Sequence, residues 1–325
     1  VTYPVPVFLD CDTGIDDSLA IAYRLADPSV NLVGISTVSG NITATQGARN
    51  TLDLLELAGR SDIPVAVGEP GPLVGGYTGA VPHIHGENGI GDVTLPRSGA
   101  VPSLLSGPEL LLTMAQKYHG ELRVIAIGPL TNLAIAITSA PELPQLVHSL
   151  TVMGGAFLVP GNVTESAEAN IWNDPRAAAL VAQAAWPLTF VPLDVTMENA
   201  LTEADRQELL GSPDGLIRAL GEILDVYFRF YETRYGDRRC ALHDPLAAMI
   251  AVEAIATGHE LVGGSITVEV AGACRGRTQH SIDSSGPPRR VVLETIEPAG
   301  PRLMERLMSC RSDAPGRRQH TAAIR

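Results

Sequence analysis

The stretch FLDCDTGIDDSLAIAYRLAD, residues 8–27, puts Asp10, Asp12, Asp16 and Asp17 into eight consecutive positions. Like charges packed that closely repel one another, and a divalent cation removes the repulsion. The acidic donors are all oxygen, which suits a hard ion, Ca²⁺ or Mg²⁺. Asp16 and Asp17 could instead be simple first-turn helix acids, which the positive end of a helix favours. That reading covers one or two acids but not four that directly follow a strand-like run. No glutamate closes a twelve-residue loop in the way an EF-hand requires.

The surrounding elements explain how such acids would be held. VPVFLD (5–10) is a short apolar run of strand type, and DDSLAIAYRLAD follows it with helical spacing. NLVGISTVSG (31–40), IPVAVG (63–68), LRVIAIG (122–128), SLTVMGG (149–155) and LTFVPLD (188–194) read as further strands. TQGARNTLDLLELAG (45–59), closed by Gly59, PELLLTMAQKYHG (108–120), LTNLAIAITSA (130–140) and a segment from about Asp174 read as helices. A long Gly- and Pro-rich loop spans 69 to about 105. Residues near 200–255 are mostly helical, and ITVEV (266–270) and RRVVLETI (289–296) add late strands. Alternating strands and helices, with strands apolar on both sides, predict an α/β fold: a mostly parallel open sheet covered by helices on both faces.

Such a sheet binds its ligand beyond the carboxyl ends of its strands. The four aspartates follow the first strand and Asn41 the second. Ile127 and Gly128 follow VIAI. Asn162, Glu168 and Asn170 lie in the loop after TVMGG, and LHDP brings His243 and Asp244. Carboxylates and amides thus recur at one end of the sheet.

The bulk properties agree. The 325 residues, 45% of them hydrophobic, can bury a large core, and no repeat or linker divides them. One domain over residues 1–310 is expected, followed by a polar tail at 311–325. The net charge of −13 argues against a nucleic-acid surface. No apolar run is long enough to span a membrane, and no signal-peptide pattern opens the sequence. Cys11, Cys240, Cys274 and Cys310 are scattered, without metal-site spacing, and read as reduced thiols of a cytoplasmic protein.

Two families carry a strand that ends in Asp-x-Asp. VFLDCDTG resembles the haloacid dehalogenase-type phosphatases, in which Asp10 and Asp12 would be nucleophile and acid. Those sites also need a basic residue, and the only lysine is Lys117, in mid-helix. Thr13-Gly14 also reverses their usual order. The second resemblance is far more extensive. DCDTGIDDSLAIAY is similar to the Asp-x-Asp-Pro-Gly-x-Asp-Asp signature of the nucleoside hydrolases. TVSGN (37–41), HIHGENGIG (83–91), GPLTNLA (128–134), MGG…GNVTESAEANIWNDPRAA (153–179) and HDPLA (243–247) follow in family order.

That resemblance implies a Ca²⁺-dependent N-ribohydrolase of the inosine–uridine type, with a ribonucleoside as its small-molecule partner and a homodimer or homotetramer as its assembly. It implies Asp12, Asp17, Asp244 and the Ile127 carbonyl as Ca²⁺ ligands, with Asp10 orienting them from behind. Asp16 would be the general base on the metal-bound water, and His243 the leaving-group acid. Asn41, Asn162, Glu168, Asn170 and Asp244 would hold the ribose hydroxyls, and His85 would lie on a loop over the base. Thr13 stands where the family usually has Pro, and Ala169 where an aromatic residue is common. His83 is expected to be loop scaffold. Trp172 is expected to pack in the core, with stacking on a base as the alternative, and Tyr227, Tyr231 and Tyr235 to form a packing face with one ring toward the base. A non-catalytic Ca²⁺-dependent binder is the remaining alternative, opposed by the presence of Asp16.

Overall fold

A computed structural model describes residues 3–282 and 289–309, and the tail expected at 311–325 lies outside them. The strands, in chain order, are β1 Val5–Cys11, β2 Val30–Thr37, β3 Val65–Val67, β4 Arg123–Ala126, β5 Ser149–Met153 and β6 Leu188–Val191. They continue with β7 Ala200–Thr202, β8 Arg239–Ala241, β9 Glu260–Val262, β10 Ser265–Val268, β11 Thr278–Ser281 and β12 Arg289–Val292. The helices begin with α1 Ile15–Ala26, α2 Ala44–Leu57, α3 Pro82–His85, α4 Gly107–Lys117, α5 Thr131–Ser139, α6 Leu143–Leu146 and α7 Ala169–Asn173. They end with α8 Pro175–Gln183, α9 Leu193–Thr196, α10 Glu203–Leu210, α11 Gly215–Tyr235, α12 His243–Ala251 and α13 Ala299–Met308.

Among the described residues the central sheet runs β3-β2-β1-β4-β5-β6-β12-β9. Its neighbouring strands are parallel except for β12 and β9. The sheet is therefore mostly parallel and open, as the sequence pattern predicts. The winding reverses between β1 and β4, which opens a crevice at the carboxyl ends of those two strands.

Alternate residues of a strand point to opposite faces, and the core follows that rule. Val7, Leu9 and Cys11 of β1 join a core with α1, α11 and α12, whereas Phe8 joins a second core with α4, α5 and α8. Apolar residues on both faces are what draws helices onto both sides. α1 is buried nearly all round, from Ile15 to Arg24, its polar Asp16, Asp17 and Ser18 included. Its start is fixed by Asp17, whose carboxylate accepts the Gly14 and Asp12 backbone N–H groups at 2.8 and 3.1 Å. α11 starts at Asp214, which caps Leu216 and Ile217, and stops at Gly236 with φ +75°.

Two features depart from the sequence pattern. The loop from 69 to 105 contains the one-turn helix α3, opened by Pro82. The mostly helical stretch carries the antiparallel pair β7–β8, whose three-residue strands are too short to show alternation. Among the described residues no helix is long and apolar enough to cross a membrane.

Candidate active site

Three carboxylates from two buried helix starts meet at the crevice. α1 delivers Asp16 and Asp17, and the first turn of α12 delivers Asp244; ligand oxygens of the three lie within 4.8 Å of one another. Asp12 stands beside them at the end of β1. Its Oδ2 accepts the Asn41 backbone N–H at 2.6 Å, and its Oδ1 has no protein partner. Asp16 Oδ1 is also without a partner. Among the described residues no lysine or arginine forms an ion pair with any of these acids.

Burial without a counter-charge disfavours the ionised form. Burial, reinforced by Asp17, pushes Asp12 well above the usual carboxylate range. Burial, reinforced by Asp16, Asp17 and Asp12, does the same to Asp244. Burial and then Asp17 raise Asp16 to about 7. Unpartnered oxygens, repulsive acids and an all-oxygen donor set together fit a hard divalent cation. Gly40 belongs to the same construction, since a Cβ there would overlap the Asp12 carboxylate.

Asp10 lies behind the cage, fully buried. Its Oδ1 accepts Ser36 Oγ–H and, at 2.7 Å, Asn132 Nδ2–H. Burial raises it to about 7 against the pull of those two hydrogen bonds. Asn132 also donates to Thr37 O at 3.0 Å and accepts the Glu69 N–H at 2.9 Å. One carboxamide thus ties the ends of β1, β2 and β3.

A polar wall adjoins the cage. Glu168 caps α7 by accepting the Asn170 and Ile171 N–H groups, and it takes the Gly155 N–H at 3.0 Å. Asn170 Nδ2–H donates to the Ile127 carbonyl at 3.0 Å. Asn162 is exposed and holds the loop by accepting the Ala169 N–H at 3.0 Å. Asn41, Ile127, Asn162, Glu168 and Asn170 all line one cleft with Asp16 and Asp244.

The opposite wall is built of rings. Tyr227 donates its hydroxyl to Asp16 Oδ2 at 3.4 Å, and Tyr231 Oη lies 2.8 Å from His243 Nε2. His243 Nδ1 is 2.7 Å from Thr196 Oγ1. His85 Nδ1 accepts the Ile15 N–H at 3.1 Å, so its proton sits on Nε2, and the ring packs 5.5 Å from Tyr227. Burial lowers His85 to about 3, helped by His243 and His83, and lowers His243 to about 4. Both are neutral at neutral pH.

The structure brings together every candidate from the sequence at this one crevice, and it corrects two expectations. Trp172 is not core: it is half-buried, lines the cleft and carries the Arg275 guanidinium 4.7 Å above its ring. The α11 face packs as expected, with Tyr227 and Tyr231 buried in the core, but three tyrosines rather than one line the cleft, together with Phe230. His83 is exposed and contacts the edge of Phe230. Sequence reading missed Thr196, the last residue of α9, and Asn132, in the first turn of α5. Lys117 is exposed over Tyr118, outside the cleft, which does not favour the phosphatase reading.

Comparison with known proteins agrees with this geometry. The sequence model of the inosine-uridine preferring nucleoside hydrolases matches residues 7–300. A probable uridine nucleosidase 2 of Arabidopsis thaliana is 38% identical over 84% of each chain. A pyrimidine-specific ribonucleoside hydrolase of Shewanella oneidensis is 35% identical over 74% of this chain and 75% of its own. The solved purine-preferring ribonucleoside hydrolase of Gardnerella vaginalis superposes with a TM-score of 0.87 at 32% identity, covering 93% of this chain and 96% of its own. A solved plant nucleoside hydrolase gives 0.86 at 30% identity, covering 94% and 98%. An acidic crevice able to hold a metal, a polar wall, a ring wall and a match over nearly the whole length lead to one conclusion: the chain belongs to the inosine-uridine preferring nucleoside hydrolase family and cleaves the N-glycosidic bond of ribonucleosides.

Proposed function

We propose that Asp12, Asp17, Asp244 and the Ile127 carbonyl hold Ca²⁺ in this chain, and that Asp16 is the general base of the cleavage. The observation that carries the reading is the cluster of Asp16, Asp17 and Asp244 oxygens within 4.8 Å, with unpartnered Oδ1 atoms on Asp12 and Asp16. When bound, the cation supplies positive charge that acidifies a water and grips a vicinal diol.

A ribofuranose that turns its 2′- and 3′-hydroxyls to the cage sends C1′ to one side and C4′ to the other. The base then enters the ring wall, and Asn41, Asn162, Glu168 and Asn170 meet the sugar hydroxyls. Bond cleavage builds positive charge on the ribosyl ring, which Asp16, Asp244 and Glu168 stabilise. Asp16 accepts the proton of the attacking water at Oδ1 while Tyr227 holds Oδ2. His243, hydrogen-bonded to Tyr231, is the candidate proton donor to the leaving base; burial holds it neutral at neutral pH, so it must take up a proton from solvent before it gives one to the base. Asp10 orients the cage from behind.

The names of the curated relatives, uridine nucleosidase and pyrimidine-specific ribonucleoside hydrolase, support uridine as a substrate. Family membership supports a cytoplasmic homodimer or homotetramer built from one domain over residues 1–310. Light scattering of the purified protein measures the assembly. The test of function is ribose release from uridine, cytidine, inosine and adenosine, with and without a Ca²⁺ chelator. Release that stops on chelation and returns with Ca²⁺ is the expected result. Release unaffected by chelation would overturn the metal assignment. Equal rates on 2′-deoxyribonucleosides would overturn the diol grip.

A further inference from the structure

A second cavity of about 380 Å³ lies against the cleft, whose own volume is about 210 Å³. The two share Thr78, Trp172 and Asn173, and Trp172 is the largest of these. Trp172 stands on α7, two positions after Asn170, and its backbone N–H donates to the Glu168 carbonyl at 2.8 Å. The loop between β10 and β11 fastens it from outside. Arg275 lays its guanidinium 4.7 Å from the centre of the indole. Gly276, at φ +85°, comes so close that a Cβ there would stand 3.2 Å from Trp172 Cα. The indole is thus a held partition between two spaces.

The second cavity has its own charge pattern. Asp174 and Arg275 are its charged lining residues. Asp174 is buried and committed: Oδ1 accepts the Ala177 N–H at 3.0 Å, and Oδ2 accepts the Leu73 N–H at 2.7 Å and the Thr131 hydroxyl at 2.8 Å. Ala177 lies in the first turn of α8, whose positive end compensates that carboxylate. Among the described residues no carboxylate pairs with Arg275. The charge left open in this cavity is therefore positive. The orientation of the sugar decides what reaches it. With its 2′- and 3′-hydroxyls at the cage and its base at the ring wall, a ribose turns C4′ and the 5′-hydroxymethyl group toward α7. Glu168 and Asn170 meet the sugar there, and Trp172 comes next on the same helix.

We propose that Trp172 confines this chain to ribonucleosides with a free 5′-hydroxyl by walling the cleft off from the second cavity, and that this cavity, through Arg275, takes a 5′-phosphate once the wall is removed. The inference rests on the hydrolase reading above and deepens it at the end of the substrate that the base does not occupy. A 5′-substituent larger than the hydroxyl meets the indole and lifts the sugar off the cage, so that C1′ leaves its place beside Asp16. With the indole gone, the substituent passes into the second cavity, where a guanidinium suits a phosphate with two parallel hydrogen bonds. The bond that breaks is unchanged. The C1′–N electron pair leaves with the base, water oxygen bonds to C1′, one water proton goes to Asp16, and the base gains one proton. The phosphate ester stays whole, so the products are free base and ribose 5-phosphate.

The experiment measures base release by wild type, Trp172→Phe, Trp172→Ala and the double variant Trp172→Ala/Arg275→Gln. The substrates are uridine and inosine, their 5′-O-methyl ethers and their 5′-monophosphates. Each kcat/KM is divided by that of the parent nucleoside with the same variant, which cancels general damage to the cleft. Wild type is expected to cleave the 5′-substituted forms roughly 10²-fold less well than the parents, the usual effect of a misplaced reacting centre. Trp172→Ala should raise both ratios by roughly tenfold or more. Trp172→Phe should move them the same way by less, and it carries the test if the alanine variant does not fold. Adding Arg275→Gln should lower the monophosphate ratio by about tenfold, the loss of a charge-assisted hydrogen bond, and leave the methyl ether ratio unchanged. Wild type that takes the substituted forms as well as the parents, or ratios unmoved by either Trp172 variant, would overturn the role of Trp172. An equal effect of Arg275→Gln on ether and phosphate would overturn the role of Arg275. Wild type that cleaves neither parent nucleoside would overturn the hydrolase reading itself, a distinct result.

Discussion

Tyr231 Oη lies 2.8 Å from His243 Nε2, and the far side of the same imidazole is 2.7 Å from Thr196 Oγ1. The ring is thereby fixed at both nitrogens, with one end aimed into the cleft. Tyr231→Phe keeps the ring packing and removes the hydroxyl. It is expected to lower kcat by about 10²-fold, the lower range for a positioned proton donor, with little change in KM. Steady-state kinetics on uridine measure this. A change in KM alone would show that Tyr231 only binds.

Asp16 is placed as base, yet it also belongs to the tight carboxylate trio. Asp16→Asn separates the two roles. If Asp16 is the base, turnover falls by about 10²–10⁴-fold while Ca²⁺ affinity, read by calorimetric titration, stays within a few-fold. Loss of both together would reassign Asp16 as a ligand.

Asn132 joins Asp10, Thr37 and Glu69 through one side chain. Asn132→Ala should weaken Ca²⁺ binding by about 10–100-fold, the usual effect of removing a partner that orients metal ligands. Leaving buried groups unpaired should also cost about 1–3 kcal/mol in stability. Calorimetry and urea unfolding measure the two effects separately.

Asp10 and Asp16 are raised to about 7 by burial. A raised carboxylate contributes stability below its unfolded value near 4 and loses it as pH rises through about 7. Burial also raises the proposed ligands Asp12, Asp17 and Asp244, and cation binding uses their ionised forms, so Ca²⁺ should raise the melting temperature more at pH 8 than at pH 6. The gain amounts to about 2.7 kcal/mol at a hundredfold excess over Kd. Thermal melts with chelator or Ca²⁺ at both pH values test the sign.

His85 carries the opposite linkage. Its folded value, lowered to about 3, contributes stability that is complete above its unfolded value near 6.5. That stability is lost as pH falls from 6.5 toward 3. His85→Asn keeps an acceptor for the Ile15 N–H and removes the titration. Urea unfolding should therefore show a shallower acid limb for the variant. An unchanged limb would mean that His85 is not held neutral by the fold.

The cage was legible in the sequence because a parallel sheet converts order along the chain into position. Asp10, Asn41, Ile127 and Glu168 each follow an apolar run, and strand ends converge. The ring wall was not legible for the same kind of reason. Tyr227, Tyr231 and Tyr235 share one helix face whether that face meets core or cavity. Trp172 carries the type of a core residue and stands at the surface of a cleft. Thr196 ends α9 and Asn132 sits in the first turn of α5, both as common residue types with no cluster to mark them. α3 is one turn inside a Gly- and Pro-rich loop, below the length at which periodicity appears.

The residues that break the bond and those that touch the base ride on different parts of the chain. The cage stands on β1, α1 and the start of α12, inside the central layers. Tyr227, Phe230, Tyr231 and Arg234 all ride on one face of α11. Base choice is therefore editable on its own: descendants of this scaffold, natural or engineered, can trade one nucleobase for another by substitution along a single helix and inherit the hydrolytic apparatus intact.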